Sequence, residues 1–420
     1  MNGAASVETG AWLTRRKTVA RARFDLLGIP KPTDEDWRQT DVRSVAAFAG
    51  TLAEKAAVSK DALDAHPLAS LLPCRAVLVN GRFDESLSTL DAAPRGVHIR
   101  SLAAALAEAE PLEHDLGKAA SAESAPFVAL NTSLFLDGIL VRAEANAAPD
   151  TPVHIVHVAA PGTAPAAIHP RTLVIAEAGA RLTVVESFIG LGSGAYLTNA
   201  VTEIIAADGA EVAHVKIQVE GAAGVHVASV AGHQAKDSKI VSHNVSLGAS
   251  VARNDIGSRL AGPGAECHLY GLYVTSGRQH VDNHTWLDHA MPHCPSWEMY
   301  KGLLAGDSRA VFNGRIVVRE GAQKTDAKQS NKNLLLGEGA LVYTRPQLEI
   351  YANDVKCTHG ATIGRLDEES LFYLRTRGIG KDDAKRVLVR AFAGDLIDKI
   401  PVAEVRAFLS GALDGSEALA

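Results

Sequence analysis

The chain has 420 residues, of which 47% are hydrophobic and 21% charged, and 42 Lys plus Arg stand against 48 Asp plus Glu for a net charge of −6. These are ordinary globular values that exclude a wholly disordered or collagen-like chain, and at about 150 residues per domain they suggest two or three domains. With no concentrated basic block a nucleic-acid partner is disfavoured, and without an apolar run of about 18 residues so is a membrane span.

In chain order, Leu13, Val19, Ala20, Phe24 and Leu27 fall near helical spacing, and Gly28 followed by Pro30 and Pro32 ends that helix. Glu8 and the adjacent Arg15 and Arg16 sit where a secretion signal needs its apolar core, so the chain reads as unprocessed and cytoplasmic. Ala76 to Val79, then Asn80-Gly81, then Arg82 and Phe83 read as a hairpin, because Asn-Gly supplies the positive φ angles of a type I′ turn. The small polar stretch 118–125 closes a mixed, mostly helical N-terminal domain, residues 1–125.

From 126 the texture becomes short alternating runs broken by Gly. Val153–Val158, Thr172–Ile175, Arg181–Val185, Val201–Ile205, Glu211–Val219, Lys239–Val245, Ala265–Val274 and Ala310–Val318 read as strands. A Gly-Ala step recurs at Gly179, Gly209, Gly264 and Gly339, which suggests whole numbers of a unit 20 to 30 residues long. A unit of that length cannot bury both its faces alone, so it stacks: the expected fold is mainly β, a parallel β-helix over residues 126–365. An antiparallel sandwich or barrel would use the same strands. Residues 366–420 return to helical spacing, with Val387, Leu388, Ala391 and Phe392 on one stripe and Val405 and Leu409 on the next helix. That stripe is either a docking face or an ordinary buried face.

The chain has no G-x-x-x-x-G-K-[ST] phosphate loop, no G-x-S-x-G elbow and no H-E-x-x-H helix. Its four cysteines, Cys74, Cys267, Cys294 and Cys357, are widely spaced, so no cage for a stable metal or cluster is evident and the isolated chain is expected to hold no cofactor. His280, His284, His289, His293 and Cys294 are dense, but Pro292 and the missing glutamate argue against a zinc site. The most pointed cluster is Asp354-Val-Lys-Cys357-Thr-His359-Gly360. On a strand Cys357 and His359 share one face, and a thiolate beside an imidazole suits soft iron or zinc, or a nucleophile with its base. A buried Cys with a structural His accounts for the same spacing.

Pro346-Gln-Leu-Glu-Ile-Tyr-Ala-Asn-Asp354 running on through Cys357-Thr-His359-Gly-Ala-Thr-Ile-Gly364, with Asp367-Glu-Glu-Ser-Leu-Phe-Tyr373-Leu-Arg-Thr-Arg377-Gly, closely resembles the SufB/SufD family of iron–sulfur cluster assembly proteins. Trp37-Arg-Gln-Thr-Asp41, Ala129-Leu-Asn-Thr132 with Asp137-Gly138, Asn313-Gly314 and Gln329-Ser-Asn-Lys-Asn-Leu-Leu-Leu336 extend the resemblance over most of the chain. Gly360, where SufB-like chains carry Glu, favours the SufD branch. The resemblance implies a right-handed parallel β-helix with a helical C-terminal domain, a noncatalytic scaffold role, a SufB-like homologue as partner through the β-helix, with a homodimer as the alternative when alone, and a SufC-like ATPase on the C-terminal helices. It also implies that His359, with Cys357 as the weaker candidate, meets a transient iron or iron–sulfur cluster at the SufB-like interface. The alternative is a β-helix carbohydrate-active enzyme, for which Glu203, Glu211, Asp255 and Asp282 are isolated acid candidates.

Overall fold

The computed structural model describes residues 2–48, 50–108 and 111–415. Two ten-stranded sheets face each other among the described residues, and the chain alternates between them. Strands Arg181–Gly190, Glu211–Gln218, Lys239–Ser246, Glu266–Thr275, Pro295–Leu304, Asp326–Leu335 and Lys356–Gly364 stack in parallel in the first sheet. Tyr196–Ala206, Gly224–Gln234, Val251–Leu260, His280–His289, Arg309–Val318 and Leu341–Ile350 do so in the second. Register offsets in the first sheet run from 27 to 31 residues, one coil of a parallel β-helix.

One corner explains the repeat. Gly179, Gly209, Asp237, Gly264, His293 and Lys324 occupy equivalent positions and all have φ between 53° and 74°. The residue after each, Ala180, Ala210, Ser238, Ala265, Cys294 and Thr325, is buried against the lumen. The left-handed turn re-aims the chain into the next strand, and a small residue must follow because the lumen is narrow there. Gly339-Ala340 breaks the expected spacing: it precedes Leu341–Ile350 of the second sheet and so lies at the other corner. The same geometry disposes of the dense His and Cys run, since His293 is a corner residue, Cys294 its inward neighbour, and His289 lies in the lumen 3.0 Å from Ser296 Oγ.

The Asn80-Gly81 hairpin is present, with φ of 48° and 73°. Its strand Arg75–Val79, however, pairs in parallel with Val153–Ala159, and Val97–Ser101 pairs with Gly138–Ala143, so strand pairing crosses the expected boundary at 125. The helix Asn2–Leu27 ends at Gly28, φ 68°, and packs on Pro126–Leu134.

Two buried ion pairs fasten the N-terminal region to the solenoid. Arg171 reaches Glu203, and Glu203 accepts the backbone N–H groups of Gly117, Ala119 and Ala120 at 2.8 to 3.0 Å. Arg171 also donates to Asn131 and Thr132, each at 3.1 Å. Gly138 is required beside it, because a Cβ there would lie 1.8 Å from the Arg171 carbonyl oxygen. In the second clamp the Arg253 guanidinium lies 4.4 Å from the Trp37 ring and donates at 2.8 Å to the Asp36 carbonyl and at 2.7 Å to Asp282. Thr40 donates its hydroxyl to the same Asp282 carboxylate. Burial pushes the Asp282 carboxyl up, but Arg253 and His284 outweigh that and hold it well below the usual carboxylate range.

Helices Lys381–Ile397 and Ala403–Asp414 lie on the outer face of the first sheet, where Val389, Leu396, Val405 and Leu409 pack with Val245, Leu272 and Leu303. The clamp yields the first prediction. Arg253 keeps Asp255 when Asp282 is lost, but removing Arg253 strands the buried Asp282 carboxylate, so Arg253→Met should lower unfolding free energy by about 3–5 kcal/mol in urea titration. A loss below about 1 kcal/mol would show that Asp282 is solvated and the clamp contributes nothing.

Candidate functional site: the open end of the solenoid

Inward-facing side chains stack in columns from coil to coil, and several of the columns are polar. Glu186 accepts from Thr172 and Thr202 of the opposite sheet, both at 2.7 Å, and meets His157 at 2.9 Å and His214 at 2.8 Å. Burial pushes its carboxyl up, and the hydrogen bonds from the two histidines more than offset that, holding it well below its ordinary value. Lys216 reaches Asn254 at 2.8 Å, and Asn254 and Asn244 both donate to Asn283. Nearer the C-terminal end Glu298 accepts from Thr285 across the lumen and from Gln329 at 2.9 Å. Here burial wins over both bonds and lifts the carboxyl to about 7.

The column through Glu298 and Gln329 ends at His359. In the strand ladder Gln329 is the register partner of His359, and Ala327 of Cys357. Both candidate residues therefore occupy lumen-facing positions on the last strand of the first sheet, Lys356–Gly364, as their two-residue spacing predicted. The lumen is uncovered there. His359 is exposed, whereas Cys357 is half-buried against the core, and burial raises its thiol above the ordinary value. A raised thiol is a poorer source of the thiolate that binds metal, which ranks Cys357 below His359. Among the described residues no group of three or more His, Cys, Asp or Glu is arranged to hold a metal ion. Two donors at a mouth leave any iron or cluster needing ligands from elsewhere.

Lys356–Gly364 and Leu341–Ile350 are the terminal strands of their sheets, each paired on one side. Tyr343, Ile350, Tyr351 and Ile363 are exposed beside them. Open parallel edges with apolar side chains are templates for another chain's strands.

The C-terminal stripe divides. Val405 and Leu409 are 0% and 1% exposed, so they are core residues and no docking face: they cover the outer side of the first sheet. Val387 and Ala391 are exposed, and Leu388 and Phe392 are half-buried. Lys301 explains Phe392, since its ammonium lies 4.9 Å from that ring and donates at 2.7 Å to the Phe392 carbonyl. Phe372 and Tyr373, which helical spacing alone does not single out, are 68% and 57% exposed on the helix Glu368–Thr376. Two adjacent exposed aromatics inside a segment that resembles the family were the available signal.

A cleft of ≈ 600 Å³ opens beside Trp37, but its polar groups are largely paired with one another: Arg253 with Asp255, Arg315 with Glu349 at 2.7 Å, Gln347 with Asn313 at 2.9 Å. Of the acids weighed for carbohydrate chemistry, Glu203, Asp255 and Asp282 all carry arginine partners, and the Asp282 carboxyl is depressed where a general acid needs it raised.

The fold defines a parallel β-helix protein whose two sheets end in open strand edges. The chain belongs to the SufBD family: residues 157–392 match the model described as SUF system FeS cluster assembly, SufBD core domain, and residues 5–155 match the SufBD protein N-terminal region. It is 33% identical over 394 residues to the iron-sulfur cluster assembly protein SufD of Escherichia coli, spanning 92% of this chain and 90% of that one. An iron-sulfur cluster assembly SufBD family protein of Synechocystis is 32% identical, over 91% of this chain and 87% of that relative. Among the described residues no helix is long and apolar enough to cross a membrane.

The Glu298 carboxyl makes a testable statement about stability. Its folded-state value near 7 exceeds the ordinary 4.5, so the folded protein holds this proton more tightly than the unfolded chain. Its contribution is full below about pH 4.5 and is lost as pH rises to about 7. Glu298→Gln cannot ionise and should gain on the wild type by on the order of 2–3 kcal/mol between pH 4.5 and pH 8. Urea midpoints at the two pH values measure this; a difference independent of pH would mean that Glu298 ionises in the folded protein as it does in the unfolded chain.

Proposed function

We propose that the chain is a scaffold subunit that assembles and hands on iron–sulfur clusters in the cytoplasm, pairing end to end with a SufB-like homologue and docking a SufC-like ATPase. The observation that carries this reading is the mouth itself. The two terminal strands leave open edges, and His359 stands uncovered beside them with too few donors to close a site. A homologous solenoid laid against those edges would bring its own ligands to within reach of His359. The neutral imidazole supplies one nitrogen lone pair to the iron, and Cys357, deeper in the lumen, is the secondary ligand. Iron and cluster are cargo here, held transiently.

The ATPase surface follows from exposure. Phe372, Tyr373 and Val387 project from the C-terminal helices, with Leu388, Ala391 and Phe392 at the margin. Lacking a phosphate loop, the chain relies on this partner for ATP hydrolysis.

Two predictions follow from these assignments. His359→Ala should leave the melting temperature and the yield of the three-protein complex unchanged, because an interface of roughly 1,600 Å² is rarely decided by one exposed side chain, while cluster loading on the complex falls about tenfold. A normal cluster load would end the ligand role. Truncating the C-terminal helices would uncover the core, so the docking test uses surface variants: Phe372→Ala with Val387→Ser should weaken ATPase binding by at least about 2 kcal/mol, the range of an aromatic hot spot, with the fold intact. Unchanged affinity in a calorimetric titration would place the ATPase elsewhere.

A further inference from the structure

Gln329 is 3% exposed, one strand below His359 in the same column, and its two amide atoms have different fates. Nε2 donates to Glu298 at 2.9 Å, and Glu298 also accepts from Thr285. Gly314 makes room for this, since a Cβ there would lie 2.3 Å from Gln329 Nε2. Oε1 is buried and has no hydrogen-bond partner. The orientation is not arbitrary. With Glu298 ionised, turning the amide over would set Oε1 against its carboxylate, so the ionised Glu298 holds Nε2 inward and leaves an acceptor free.

A buried carbonyl oxygen without a donor is unfavourable, and the neighbouring side chain on the same face of a parallel pair lies close enough to supply one. That neighbour is the imidazole of His359. We propose that Gln329 is a positioning residue for His359: its Oε1 accepts the ring N–H, fixes the ring and its tautomer, and turns the other nitrogen's lone pair out of the mouth. Glu298 acts one step further in by fixing the amide. Gly314 and Gln329 then both have a task at the site. The proposal deepens the ligand assignment of His359 and rests on it for its purpose, although the hydrogen bond, which needs the exposed His359 ring to turn toward Oε1, is testable without it.

The test is a tautomer measurement on the full-length protein. With ¹⁵N-histidine incorporated, the His359 ring nitrogens are identified by their loss in His359→Ala, and long-range proton–nitrogen correlation gives the tautomer ratio. Gln329→Leu should shift that ratio by about fivefold. It should also reduce cluster retention on the assembled complex by about tenfold, at unchanged complex yield. The charge-neutral exchange of Glu298→Gln with Gln329→Glu keeps one donor and one acceptor between the two positions, presents a carboxylate oxygen to His359, and should restore the wild-type tautomer preference. It also keeps the question answerable if Gln329→Leu folds poorly. An identical tautomer ratio in wild type, Gln329→Leu and the exchange would overturn the proposal, and would assign Oε1 to an ordered water. If Gln329→Leu shifts the tautomer while His359→Ala still loads cluster normally, the contact stands and the ligand reading alone fails.

Discussion

The register of the ladder governs the rest of this structure. Because each strand lies in parallel over its predecessor 27 to 31 residues earlier, every inward position becomes a column, and whatever occupies one coil must suit the coil above and below. The left-handed corner keeps the columns aligned. It accepts Gly179, Gly209 and Gly264 without strain and Asp237, His293 and Lys324 at some cost, which the packed neighbours sustain. A column has no natural stop, so the last coil shows its lumen face to whatever comes next. His359 and Cys357 are that face.

The polar content of the lumen follows from the same constraint. A narrow lumen of aliphatic side chains would bury well but would discriminate poorly between registers one coil apart. Glu186 with two histidines and two threonines, and Lys216 with Asn254, can be satisfied in one register alone, because a slip would leave a buried charge unpaired. These clusters are expensive to bury and specific. Glu298 differs: with two hydrogen bonds and no cationic partner shown, burial lifts its carboxyl to about 7, and it lies one position in from the residue beneath His359.

Much of the fold was legible where the lumen is apolar. Val153–Ala159, Arg171–Ala176 and Glu211–Gln218 announce themselves by alternation or by continuous β-branched runs. Where the inward residues are Asn283, His289, Gln329, Asn331 and Asn333, the binary pattern vanishes, and His280–His289 and Asp326–Leu335 gave no strand signal. That Cys357 and His359 share a face was legible, since two residues apart on a strand means one face. The neighbour of His359 was not, because Gln329 and His359 meet through a register that no local window contains. Val405 and Leu409 mark the opposite failure: an amphipathic stripe declares that it will be covered, and cannot say whether the cover is this chain's own sheet or a partner. Here it is the sheet.

The central claim is that iron–sulfur cargo at the open end is bound through a histidine of this chain. It is tested most directly by pulsed electron paramagnetic resonance on the reduced, cluster-loaded complex, reassembled so that this chain alone carries ¹⁵N-histidine. The account predicts a ¹⁵N hyperfine coupling of directly ligated strength that disappears in His359→Ala. A loaded cluster with no such coupling would contradict it.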